Sequence, residues 1–120
     1  MNEIDLSIAQ MKQMQQELYE INKEYWNDMC PEASKNHLLY MIEELGECIA
    51  IIKKKGVDSI MEDTTVRERF VEEFADVLMY YTEVLNRLEI TSEELGSSYR
   101  SKNQKNKMRN FKEEYKEKNV

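Results

Sequence analysis

Apolar residues recur at steps of three and four through most of the chain, the spacing that gathers them on one face of an α-helix. Ile8, Met11, Met14, Leu18, Ile21 and Tyr25 form the first such run. Ser7 with Gln10 three places on is a capping-box pattern that opens it, and the spacing predicts a helix reaching Trp26 or Asn27. Pro31, inside DMCPEAS, ends that helix, because proline lacks the amide hydrogen and disfavours helix in the residue before it. Ser34 is the expected N-cap of a second helix from Lys35 to Lys55, striped by Leu38, Met41, Ile42, Leu45, Ile49 and Ile52 and stopped at Gly56. GVDSIMEDT reads as a surface connection. Thr65 with Glu68 then opens a third helix, whose stripe is Phe70, Phe74, Val77, Leu78, Tyr81, Leu85 and Leu88. Thr91 with Glu94 opens a fourth, from about Ser92, that is far more polar, and residues 111–120 read as a charged, fraying tail.

Composition agrees with an all-α class. One Pro and three Gly in 120 residues leave few turns, and 41% apolar with 34% charged residues suits helices that bury one stripe each. That length supports a single helical domain over 1–120 with one core. The net charge of -7 argues against a nucleic-acid polymer as partner, since phosphate backbones need clustered cations. Cys30 and Cys48 have no zinc-motif spacing and suit a reducing compartment. MNEIDLSIAQ lacks the basic-then-apolar order of a secretory signal, and no apolar run approaches the roughly 18 residues of a membrane span. A cytoplasmic protein is expected.

The acidic residues do not follow the usual rule for solvated helices. At about 100° per residue, Glu43, Glu44 and Glu47 share an arc of about 100°. Three and four places from Glu44 stand Tyr40, Met41, Glu47 and Cys48; around Glu47 stand Glu43, Glu44, Ala50 and Ile51. No cation reaches either from its own helix. In the third predicted helix Glu73 has Arg69 one turn before it, but Asp76 has only Glu72, Glu73, Met79 and Tyr80. Glu73 and Asp76 flank the apolar stripe, so a helix seam would desolvate them in part. Two i,i+3 pairs on consecutive helices, Glu44 with Glu47 and Glu73 with Asp76, can converge on a divalent cation. Oxygen donors without Cys or His select Mg²⁺ or Mn²⁺ over zinc. A di-iron carboxylate bundle needs a Glu-x-x-His on each of two helices, and His37 is the sole histidine. The competing explanation is an ordinary acidic face neutralised by other helices.

Glu43-Glu44-Leu45-Gly46-Glu47 followed by Glu73-Phe74-Ala75-Asp76 resembles the EExxE...ExxD signature of the MazG-type, all-α nucleoside triphosphate pyrophosphohydrolases. SKNHLLYMIEELGE is similar to that family's lead-in to its first acidic helix, FADVLMY to its second, and YRSKNQKNKMRNF to its K-x-x-x-N-x-x-R segment, so the resemblance covers residues 34 to 111. It implies a bundle-like fold assembling as a dimer or tetramer. It also implies Mg²⁺-dependent hydrolysis of a nucleoside triphosphate to the monophosphate and pyrophosphate, clearing nucleotide pools. Carried over by position, Glu44, Glu47, Glu73 and Asp76 are metal ligands, and Glu43 completes the motif as an auxiliary ligand or a holder of water. Lys102, Asn106 and Arg109 match the basic helix, Lys35 and Asn36 the lead-in, and Tyr80 an aromatic position after the second motif. Trp26 is a candidate to stack on a nucleobase. Lys105 is assigned to solvent, and His37 to a local polar role. Gly46, costly inside a helix, would clear room for a ligand or a neighbouring helix. The loop after the first acidic helix lacks the tryptophan found in some branches, so no base preference transfers. The alternative is a helical nucleotide-binding or interaction module without turnover.

Overall fold

A computed structural model describes residues 3–109 and 112–114. Its elements are α1 (Ile8–Asn22), a 3-10 turn (Pro31–Ala33), α2 (Ser34–Lys55), α3 (Val57–Glu62), α4 (Thr64–Arg87) and α5 (Ser92–Met108), with no strand among the described residues. The all-α class expected from the sequence is the class observed. Packing divides the chain into two units, Met1–Ile90 with α1 to α4 and Thr91–Val120 with α5. No helix among the described residues is long and apolar enough to cross a membrane.

Ser7 caps α1 as its pattern predicts: its Oγ accepts from Gln10 N at 3.1 Å, and Gln10 Oε1 accepts from Ser7 N at 2.7 Å. The helix stops at Asn22, four or five residues before the expected end. Asn22 O accepts from both Tyr25 N and Trp26 N in a closing turn. Beyond it, long-range contacts take over: Arg87 donates to the carbonyls of Asn27 and Asp28, and Tyr19 Oη accepts from Met29 N at 2.9 Å. Tertiary hydrogen bonds on the backbone outweigh a helical period that would have continued.

Three boundaries differ in small ways. Pro31 starts a 3-10 turn that runs straight into α2, so Ala33 occupies the cap position and Ser34 is the first helical residue, buried, with its Oγ lacking a partner among the described residues. GVDSIMEDT holds a helix rather than a bare connection, because Ile60 finds a buried place beneath it. Asp63, not Thr65, caps α4, its Oδ1 accepting from Thr65 N at 3.0 Å and Val66 N at 3.3 Å. Gly56 closes α2 as expected, at φ 83°, where a side chain would be strained.

Within the first unit α2 packs chiefly on α4, and α1 and α3 also pack on α4. The face that α2 turns inward is not the predicted stripe. Cys48 and Ile51 are buried and His37, Met41 and Glu44 half-buried, whereas Leu38, Ile42, Leu45, Ile49 and Ile52 are exposed, Ile42 to 59% and Ile49 to 56%. At 100° per residue the two stripes lie about 100° apart. On α4, Leu85 is buried as expected but Phe74, Leu78 and, at the C-cap, Leu88 are exposed. Val84 joins Leu85 in the core, next to a fully buried polar set, Thr82, Glu83 and Arg87.

The second unit consists of α5 and the residues C-terminal to it. Thr91 Oγ1 accepts from Glu94 N at 3.0 Å, the predicted cap, and no residue of α5 is fully buried. Arg109 grips Glu114 through Nη2 at 2.7 Å and Nε at 3.2 Å, which raises its already high pKa further. Of the expected tail, residues 112–114 form helix, and 111 and 115–120 lie outside the described residues.

Candidate functional site

The acidic pairs converge in part. One carboxylate oxygen each from Glu44 of α2 and from Glu73 and Asp76 of α4 lie within 4.8 Å of one another, and all three residues are half-buried. The i,i+3 step on α4 brings Glu73 and Asp76 together, and the packing of α2 on α4 supplies Glu44. Glu43 and Glu47 are exposed on α2, and Glu47 stands outside the trio, one turn further along.

None of the three forms an ion pair with a cation among the described residues. The ion pairs among the described residues are Lys23 with Glu20, Arg87 with Glu83 and Arg109 with Glu114. Glu44 is instead pushed above the ordinary carboxylate range, first by a hydrogen bond with the Glu73 carboxyl, then by burial and by the charges of Asp76, Glu73 and Glu47. A carboxyl that keeps its proton to higher pH relieves part of the repulsion within the trio. Cys48, buried one turn along α2, has its thiol pKa raised by burial and by Glu73 and Glu44, and it lies outside the group of converging ligand atoms. The donor set is hard oxygen only, the chemistry that suits Mg²⁺ or Mn²⁺.

A cavity of about 480 Å³ opens beside the trio, with Glu44 and Asp76 in its wall. Trp26, Tyr40, Tyr80 and His37 give it aromatic surfaces; the Tyr40 and Tyr80 rings are 5.7 Å apart and His37 stands edge-on to Tyr40 at 5.5 Å. Tyr80 is held as a neutral phenol by burial and by Glu44, Asp76 and Glu43 nearby. Burial, then the positive charge of Arg87, lowers the His37 pKa, Glu83 opposing, and both ring nitrogens are buried without a hydrogen-bond partner among the described residues. His37, expected in a local polar role, is part of the cavity wall.

Gln15 and Glu83 belong to that wall too, and with Arg87 they form a set that the sequence patterns did not single out. Arg87 Nε donates to Glu83 Oε1 at 3.0 Å and Gln15 Nε2 donates to Glu83 Oε2 at 3.1 Å, while the guanidinium stands 5.9 Å from the centre of the Tyr19 ring. Its other nitrogens hold the Asn27 and Asp28 carbonyls, and so the loop carrying Trp26. Glu83 and Arg87 at i,i+4 amid Val84 and Leu85 were the available signal: a charged pair inside a core run.

Lys35 and Asn36 are exposed in the first turn of α2 and do not line the cavity. Lys102, Asn106 and Arg109 belong to α5 and its C-cap, in the second unit, with Lys102 exposed and Asn106 half-buried. A Cβ on Gly46 would meet nothing within 4 Å, so this glycine makes no room for another helix of its own chain. Compared with protein-family models, with curated proteins and with solved structures, the chain matches none.

Proposed function

We propose that the chain is a cytoplasmic, Mg²⁺-dependent nucleoside triphosphate pyrophosphohydrolase of the MazG type, adding water across the α–β phosphoanhydride to give the monophosphate and pyrophosphate. The observation that carries this reading is the junction of two features: the unpaired trio Glu44, Glu73 and Asp76, and the aromatic cavity it borders. Glu44, Glu73 and Asp76 would hold Mg²⁺, with Glu47 joining from one turn away. The ion supplies charge withdrawal from phosphoryl oxygens and a lowered pKa for water. The chain's own part is orientation. Trp26, Tyr40 and Tyr80 offer ring faces to a nucleobase, and Tyr80 and Asp76, one turn apart on α4, place such a ring next to the carboxylates. Lys35, Asn36, Lys102, Asn106 and Arg109 remain proposals by resemblance. Purified protein with Mg²⁺ and a panel of canonical and modified triphosphates should release pyrophosphate from at least one. No release across the panel would overturn the reading.

The raised pKa of Glu44 favours a second reading, a nucleotide-binding module without turnover, because a carboxyl that keeps its proton relieves the acidic repulsion without a metal. Glu47→Gln with Asp76→Asn separates the two. An enzyme loses Mg²⁺ binding and activity, while a module keeps its partner and gains stability.

The exposed stripe of α2 supports the homo-oligomer. Leu38, Ile42, Leu45, Ile49 and Ile52 form a continuous aliphatic face flanked by Gly46, and a second copy meeting it through a two-fold axis would bury like against like. Ile42→Lys with Ile49→Lys is expected to convert a dimer or tetramer into a soluble monomer in analytical ultracentrifugation. An unchanged sedimentation coefficient would place the contact elsewhere.

A further inference from the structure

A second hollow, of about 350 Å³, lies between the end of α2 and the start of α4, lined among others by Glu47, Lys54, Lys55, Asp63, Thr65 and Arg69. Its three cations make no ion pair with any described residue. Asp63 is already engaged in capping α4, with one carboxylate oxygen accepting two backbone amides. Glu47 alone is left as an uncommitted acid, on the side of the carboxylate trio.

The order of residues along the two helices gives this hollow its meaning. Along α2 come His37 and Tyr40 in the aromatic cavity, then Glu44, then Glu47, then Lys54 and Lys55. Along α4 the order is reversed: Thr65 and Arg69 in the hollow, Glu73 and Asp76 in the trio, then Tyr80 and Glu83 in the cavity. The α2–α4 seam thus presents aromatic, acidic and basic stations in one line. Arg69 precedes Glu73 by one turn, about 6 Å of rise, and Lys54 follows Glu47 by about 10 Å. A ligand matching all three stations has a flat ring at one end, a metal-binding middle and a polyanionic end.

We propose that Arg69, Lys54 and Lys55 form the subsite for the distal phosphates of the substrate and for the pyrophosphate they become. This rests on the triphosphate reading above and adds to it a site that the resemblance did not assign. Arg69 offers a forked donor to a phosphate, and the two lysines add mobile ammonium groups. Glu47, at the border, would share the divalent cation with the same phosphates rather than repel them. The shared chemistry is a diphosphate group, reaching the hollow either as free pyrophosphate or as the tail of a triphosphate.

The test titrates the full-length protein with inorganic pyrophosphate in Mg²⁺ by calorimetry, then with a non-hydrolysable triphosphate and with a nucleoside monophosphate. Arg69→Ala and Lys54→Ala, at exposed positions, are expected to weaken pyrophosphate and triphosphate binding about tenfold each and leave the monophosphate unaffected. Lys53→Ala removes the same charge from the same last turn, at a residue outside the hollow, and should change neither. Equal losses in Lys53→Ala and Arg69→Ala would reduce the effect to general charge attraction and overturn the proposal. A loss confined to Lys102→Ala would move the phosphate site to α5 and overturn it too. Weakening of the triphosphate but not of free pyrophosphate would overturn the assignment of the hollow to pyrophosphate. Turnover of triphosphates with undiminished pyrophosphate affinity in Arg69→Ala refutes the subsite and leaves the enzyme standing. Arg69-dependent pyrophosphate binding without any turnover does the reverse.

Discussion

Asp76→Asn is expected to abolish Mg²⁺ binding and lower kcat/KM by about 10³-fold or more, while the metal-free protein melts no lower than the wild type. Asn keeps the shape of the side chain and removes its charge. About 4 kcal/mol of transition-state stabilisation, a modest share for a metal-held phosphoryl group, corresponds to that factor. The unchanged or raised melting temperature follows from the repulsion removed, because Asp76 is one of the charges that lift the Glu44 pKa. A pH dependence comes with it. Glu44 holds its proton to higher pH in the folded chain than in the unfolded one, so its contribution to stability is fully present below the unfolded pKa and is lost as pH rises through the folded value. Metal-free protein should therefore melt lower at pH 7.5 than near pH 4 as far as Glu44 decides it, and Mg²⁺ should restore more stability at the higher pH, where it no longer competes with the proton. Thermal melts at both pH values, with and without Mg²⁺, check this; Mg²⁺ stabilisation that survives in Asp76→Asn would contradict it.

Arg87→Met is the substitution expected to damage the fold most, by about 3–5 kcal/mol. Arg87 and Glu83 are 2% and 1% exposed, and removing the guanidinium leaves the Glu83 carboxylate buried with only Gln15 for a partner among the described residues. The Asn27 and Asp28 carbonyls lose their donor as well. That loss is a large fraction of the roughly 5–15 kcal/mol that holds a domain of this size. Urea unfolding gives the magnitude, and Trp26, the chain's one tryptophan, reports release of the loop by a red-shifted emission. Adding Glu83→Gln should recover part of the loss, since it is the uncompensated charge that costs most. A single variant costing less than about 1 kcal/mol would show that the pair is no structural anchor.

How much of this was legible in the sequence differs by element. Caps written in local chemistry were readable: Ser7 with Gln10, Thr91 before Glu94 and Gly56 after Lys55 stand where their patterns put them. The inward face of α2 was not. Periodicity finds a face rich in Leu and Ile, but α2 carries two adjacent faces, and the one that meets α4 is the mixed one with His37, Met41, Glu44, Cys48 and Ile51. The more hydrophobic stripe is left at the surface, which a single-chain reading of hydrophobicity cannot anticipate. The same rotation brings Glu44 to Glu73 and Asp76 and leaves Glu47 outside. Spacing alone made the four carboxylates equivalent; packing separates three from one. The end of α1 was hidden for another reason, because Arg87 acts on its loop from about 60 residues away, and no local pattern encodes so distant a donor.

The central claim is that the trio of carboxylates is a divalent-cation site serving a triphosphate, and calorimetric titration of the metal-free protein with Mg²⁺ tests it most directly. The expected result is saturable binding that releases a proton from Glu44, in amounts that shrink as pH rises above the Glu44 pKa, and that disappears in Asp76→Asn. No heat and no proton release at any Mg²⁺ or Mn²⁺ concentration, with the melting temperature unmoved, would contradict it.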